Sequence, residues 1–289
     1  MTFAVAGATG RTGRVVAETL LARGAKVRVI VRDPSAAATW QTRGAEVAVA
    51  ELGEARALTR ALAGATGAYL LIPPDFGAPS QRAYQDGLAR SFAHAVTESG
   101  IAHVVLLSGF AAHHDNANGP LAGLHTAERL LGAIPTLRLS AIRAGYFDEN
   151  VIPSLGNLRE TGILPSFFPA NLGIPMVATR DVGPLAAELL LDPTANGPVE
   201  LGSDVTHAEI ARTLAHILER PIRVEELALD TIAPMLRSLG FTADLAGLYV
   251  DMIAGIRSGA LVFEGGHRRV AASTSMESVL RPLFDPHSK

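Results

Sequence analysis

The 289-residue chain is 48% hydrophobic with a formal net charge of −3, which allows a sizeable buried core and leaves no basic footprint for nucleic acid. It has no cysteine, so disulfides, thiolate-bound metal and a cysteine nucleophile are excluded. No apolar run approaches the roughly 20 residues of a membrane span, and the first residues lack the basic segment of a secretory leader; the expectation is a cytoplasmic protein that touches neither membrane nor nucleic acid.

The first element is a short apolar strand, Thr2–Ala6, that runs straight into Gly7-Ala8-Thr9-Gly10-Arg11-Thr12-Gly13. A helical pattern carried by Val15, Val16, Leu20 and Leu21 follows at once. Strand, three glycines at i, i+3 and i+6, then helix is a pattern that holds a dinucleotide pyrophosphate. Glycine permits positive φ and close backbone approach, and the helix N-terminus offers unpaired N–H groups to the phosphates. Gly7, Gly10 and Gly13, with Thr9, Arg11 and Thr12 between them, are the expected cofactor contacts.

The second strand, Lys26–Val31, ends in Arg32-Asp33-Pro34. NAD enzymes place an acidic residue near this point to bind the ribose 2′-OH. Here Arg32 stands at the strand end, and its guanidinium suits a 2′-phosphate, which favours NADP(H). The alternative is a solvated Arg32 with Asp33 in the ribose role.

Further strands are expected at 46–50, 67–72, 103–107 and within 135–142, separated by helices at 55–63, 83–99 and 121–131. Short apolar strands alternating with helices predict a doubly wound, parallel α/β sheet of the Rossmann type. Ligands of such sheets bind beyond the carboxyl ends of the strands. That edge would collect Gly7–Gly13, Arg32, Glu51, Ile72, Pro73, Pro74, Ser108, Gly109, Phe110 and the segment 144–150. After residue 150 the periodicity weakens. The expected division is a dinucleotide-binding domain at 1–150, to which 176–202 returns, and a smaller, mainly helical substrate region at 151–289.

The order of these segments resembles the NmrA-like branch of the atypical short-chain dehydrogenase/reductases. The resemblance rests on GATGRTG at 7–13, VRVIVRDP at 27–34, LLIPP at 70–74, VVLLSG at 104–109, HTAE at 125–128, IRAGYFDEN at 142–150 and VATRDVG at 177–183. It implies a bound NADP(H) and assigns roles position by position. Arg32 would read the 2′-phosphate, and Glu51 stands where relatives carry Asp beside the adenine. Pro73 and Pro74 would flank the cofactor, Ser108 and Gly109 would lie beside the nicotinamide, and Gly145, Tyr146, Phe147 and Asn150 would wall its pocket. His125 falls where double-bond reductases carry Lys and quinone-reductase-like members carry His. The candidate catalytic residues are therefore His125, Tyr146 and Ser108. The resemblance admits a homodimer, and it covers both reductases and redox sensors that bind NADP without turnover and act through a protein partner.

The four tyrosines, Tyr69, Tyr84, Tyr146 and Tyr249, are followed four residues on by Pro73, Leu88, Asn150 and Ile253. The Tyr–Lys proton relay of the wider superfamily is thus absent. Ketone reduction leaves an alkoxide that needs a strong proton donor. A quinone or a conjugated double bond spreads the charge, so solvent or one histidine suffices. The expected substrate is a flat, apolar, conjugated acceptor, in keeping with Tyr146, Phe147, Phe167 and Phe168 near the site. His125 also has a structural alternative, a helix-start residue with Glu128 one turn on as its partner. No metal is expected: His113-His114-Asp115 lacks the spacing of a known ligand set.

Overall fold

A computed structural model describes residues 1–115 and 118–284. The strands are β1 (Thr2–Ala6), β2 (Lys26–Val31), β3 (Glu46–Val49), β4 (Gly67–Leu71), β5 (His103–Gly109), β6 (Arg138–Ala144), β7 (Tyr146–Phe147), β8 (Ile163–Ser166), β9 (Ile174–Val177), β10 (Gly197–Leu201), β11 (Ser203–Val205), β12 (Arg223–Glu226) and β13 (Arg268–Val270). Eight of them form one sheet in the order β13-β10-β6-β5-β4-β1-β2-β3, and every pairing in it is parallel. The chain winds from β1 outward to β3, then crosses back to β4 on the other side of β1. This reversal opens a crevice at the carboxyl ends of β1 and β4.

The helices are α1 (Arg11–Ala22), α2 (Ala37–Thr42), α3 (Ala55–Leu62), α4 (Gln81–Ser99), α5 (Ala122–Gly132), α6 (Leu158–Thr161), α7 (Val182–Leu191), α8 (His207–Leu218), α9 (Leu229–Ser238), α10 (Ala243–Arg257) and α11 (Met276–Leu280). Alternation along the strands explains the layers. Phe3 and Val5 of β1 face one side with Val16 and Leu20 of α1 and Leu185 and Leu189 of α7. Ala4 and Ala6 face the other with Leu88 and Phe92 of α4 and Leu131 of α5. Both faces are covered, as a parallel sheet requires; the fold is a doubly wound Rossmann-type α/β sheet.

A third cluster of buried apolar residues includes Phe110, Leu164, Phe168, Met176, Ile210 and Ile253. It joins α8, α9 and α10 to two small sheets, β11-β9-β7 and β12-β8. The sequence reading offers no strand at Arg268–Val270, yet β13 closes the edge of the large sheet beside β10. Asp181 secures the segment that follows: its carboxylate accepts from the backbone N–H and hydroxyl of both Ser273 and Thr274. Among the described residues no helix is long and apolar enough to cross a membrane.

Candidate active site

The glycine loop leaves β1 at the crevice. Gly7 has φ +66°, and its carbonyl accepts from Gly10 N–H at 2.8 Å. A Cβ at Gly13 would lie 2.4 Å from the carbonyl oxygens of Ala6 and Gly7, so Gly13 is what lets α1 pack directly on β1. A Cβ at Gly10 would meet only the Gly7 oxygen, at 3.3 Å, a milder approach than at Gly13. Gly10 is the N-cap of α1, and no side chain caps that end. The first-turn N–H groups therefore have no side-chain acceptor and are suited to an anion. Thr9 and Arg11 are exposed, whereas Thr12 is buried.

At the next strand end, Arg32 is 81% exposed and its Nε lies 3.8 Å from Glu51. Asp33 accepts from Ser35 N–H at 2.8 Å and starts a short 3₁₀ turn. That bond holds its carboxyl below the usual carboxylate range. Beyond β4, the Pro73 carbonyl accepts from the Tyr84 hydroxyl at 3.0 Å. Ile72 and Pro73 are half-buried and Pro74 is exposed.

Strands β5 and β6 pair so that Ser108 stands opposite Arg143. The Ser108 hydroxyl donates to Glu128 of α5 at 2.5 Å. Arg143, 6% exposed, grips the same carboxylate through Nε and through Nη2 at 2.8 Å, and its Nη1 donates to Glu264. Glu264 is also 2.9 Å from His267 Nε2. Its carboxyl is held down at about 2, chiefly by the Arg143 hydrogen bond. Glu128 is thus occupied by Ser108 and Arg143, which corrects its reading as the partner of His125.

His125, on the first turn of α5, instead places Nδ1 2.9 Å from the Ala112 carbonyl. A carbonyl only accepts, so Nδ1 carries the proton, and in the neutral ring Nε2 holds the lone pair. A Cβ at Gly109 would lie 2.7 Å from Leu121, and one at Gly145 2.6 Å from the Pro175 oxygen; both glycines serve close packing. Tyr146 and Phe147 pair with Met176 and Val177. The Tyr146 ring meets Phe168 edge-on at 5.7 Å. Burial pushes its phenol up, with Tyr249 nearby adding to the effect and an Asn150 hydrogen bond opposing it.

Two features escaped the sequence reading. Arg143 leaves one signal, a charge inside an apolar strand; Glu264 leaves none. Asp148 lies buried just after β7, and burial, then the charges of Glu149 and Asp181, push its carboxyl up to about 7. The His113 and His114 rings lie 4.0 Å apart, tilted by 40°. Among the described residues no group of three or more His, Cys, Asp or Glu side chains is placed to hold a metal ion.

The NmrA-like family model matches residues 1–242, and the chain belongs to that family. It is 29% identical over 265 residues to quinone oxidoreductase 2 of Escherichia coli, covering 90% of this chain and 89% of that one. The NAD(P)H azoreductase of Xenophilus azovorans is 23% identical over 256 residues, 86% and 85% of the two chains. Among solved structures, the NADPH complex of an Escherichia coli NADPH-dependent quinone oxidoreductase superposes with a TM-score of 0.81 at 25% identity, covering 99% of this chain and 100% of that one.

Proposed function

We propose that this protein is an NADPH-dependent oxidoreductase that passes a hydride to a quinone or another conjugated small-molecule acceptor. The observation that carries the reading is the uncapped start of α1, opened by Gly10 at the crevice between β1 and β4. The loop fits a dinucleotide: it offers backbone N–H groups and no Cβ at the point of approach. The named relatives, a quinone oxidoreductase and an azoreductase, reduce conjugated acceptors according to their names.

In this reading Gly7, Gly10 and Gly13 seat the pyrophosphate and Arg32 lies over the 2′-phosphate. Bound NADPH supplies the hydride. His125, whose Nδ1 is taken by the Ala112 carbonyl, is the residue whose Nε2 would meet the acceptor and serve its protonation. Ser108, whose proton is committed to Glu128, acts by positioning. Tyr146 bounds the acceptor pocket through its ring, because burial opposes ionisation of its hydroxyl.

The test is NADPH oxidation against a panel of quinones, enones and azo dyes. Turnover with one class is expected, with His125→Ala slowing it about 10²-fold and leaving NADPH affinity near that of the parent. Tight NADPH binding without turnover on the whole panel would replace the reductase with a cofactor-binding sensor. An unchanged rate in His125→Ala would return that residue to a packing role.

A further inference from the structure

An aromatic series links the segment after β4 to the segment after β6. Phe76 follows β4, and its ring centroid lies 5.3 Å from that of Phe241, in the turn between α9 and α10. The Phe241 ring meets Tyr249 of α10 edge-on at 5.6 Å. Tyr249 lies close enough to Tyr146 to act on its phenol, and both rings pack on the third apolar cluster. In the sheet β5 lies between β4 and β6, so the series joins the two strand ends that flank Ser108 and Gly109. Those ends are two strand spacings apart, roughly 10 Å, a span wider than one six-membered ring.

Both sides of the series are anchored. The segment that carries Phe76 begins at Pro73, whose carbonyl is held by Tyr84. It ends where the Gln81 N–H donates to Asp244 of α10 at 2.8 Å. Between these points the Gly77 N–H donates to the Asp75 carboxylate at 3.0 Å. The helix α10 is closely seated: a Cβ at Gly119 would lie 2.2 Å from the Leu248 carbonyl oxygen, and the turn at 119–121 runs directly into α5, the helix of His125. Phe76 remains 49% exposed and Tyr146 is half-buried, so the series leads inward from the surface.

We propose that Phe76 and Phe241 are specificity-determining residues for the acceptor, selecting fused-ring aromatic acceptors over single-ring ones. The inference rests on the reductase reading above and narrows its substrate class. A single ring held beside Tyr146 and His125 stops short of the outer pair. A second or third fused ring extends toward Phe241 and Phe76 and gains face or edge contact with them. An acceptor so placed also covers apolar surface that Phe76 otherwise leaves to water.

Equilibrium binding of anthraquinone-2-sulfonate, with three fused rings, and of duroquinone, with one, tests this on the full chain. Calorimetry with NADP+ in place reads binding without turnover, because NADP+ has no hydride to give. Phe76→Ala and Phe241→Ala are each expected to weaken the three-ring ligand about fivefold and the one-ring ligand less than about twofold. Phe76→Tyr and Phe241→Tyr, which keep the ring, are expected to bind as the parent does. Phe241→Leu retains apolar volume where Phe241→Ala perturbs folding, and it is expected to show the same selective loss. NADPH affinity should stay within about twofold of the parent in every variant. In turnover the losses should appear in KM for the three-ring acceptor, with kcat little changed. Equal losses for both quinones, or none, would overturn the proposal. So would a matching fall in NADPH affinity, which would assign the segment to the cofactor. Selective binding of the fused-ring ligand with no turnover of any acceptor would sustain the ring selection while removing the reductase reading. A parent chain that binds neither quinone would overturn this inference and leave the reductase reading to other acceptors.

Discussion

A Cβ on Gly13 would press on two backbone carbonyls at 2.4 Å, whereas one on Gly10 would touch a single carbonyl at 3.3 Å. The three glycines of the loop therefore separate into a packing role and a binding role. Gly13→Ala is expected to destabilise the chain by about 3 kcal/mol, because α1 must lift off β1. Gly10→Ala should cost less than about 1 kcal/mol, the price of an alanine at an N-cap, while NADPH affinity falls sharply. Denaturant midpoints set beside cofactor titrations decide the matter; equal destabilisation by the two variants would defeat the separation. The spacing of the glycines is legible in the sequence because strand, loop and helix are contiguous. Their separate duties are not, since Gly13 is constrained by the direction in which α1 leaves the sheet. The same limit misassigned Glu128: residues 125 and 128 are neighbours along a helix, but the stronger claim on that carboxylate comes from β6.

At the level of elements, the β5–β6 register sets Ser108 against Arg143, and α5 and the chain before β13 close on that pair with Glu128 and Glu264. Removing Arg143 leaves the Glu128 carboxylate enclosed without its cation, whereas Glu264 remains 43% exposed and can turn to water. Arg143→Gln is expected to cost about 3 kcal/mol, and Glu264→Gln about 1 kcal/mol or less. Chemical denaturation measures both; similar losses would show that Glu264, rather than Glu128, is the carboxylate that Arg143 chiefly serves. The strands up to β6 could be read from local alternation and the turns between them. β13 could not: it has three residues, two of them arginine, and exists because β10 leaves an edge that backbone N–H and C=O groups can extend. Glu264 was hidden for the same reason, since its meaning comes from a residue more than a hundred positions away.

Across the whole molecule, buried titratable groups set opposing demands on pH. Burial holds His103 and His207 down at about 4, against roughly 6.5 in an unfolded chain. Between those values the unfolded chain binds protons that the native one refuses, so each histidine's contribution is lost as pH falls from about 6.5 toward 4. Asp148 works the other way. Its native value of about 7 exceeds the roughly 3.9 of an unfolded aspartate, so the native state retains a proton that the unfolded chain has released, and stability is lost as pH rises through that window. Two histidines outweigh one aspartate, and Glu264, held at about 2, adds to the loss below the ordinary carboxylate range. The net expectation is a steep acid limb below pH ~6.5 and a smaller decline toward pH ~7. Thermal melts from pH 4 to 8 resolve the parts. Asp148→Asn should raise the midpoint at pH 8, by about 2–4 °C for each kcal/mol relieved, and change it little at pH 4, where the parent carboxyl is already protonated. His207→Gln should make the acid limb shallower. A gain from Asp148→Asn that is the same at both ends would mean that the carboxyl does not titrate in this range and that the substitution acts through packing; a gain confined to high pH would identify Asp148 as a buried acid whose ionisation the fold resists.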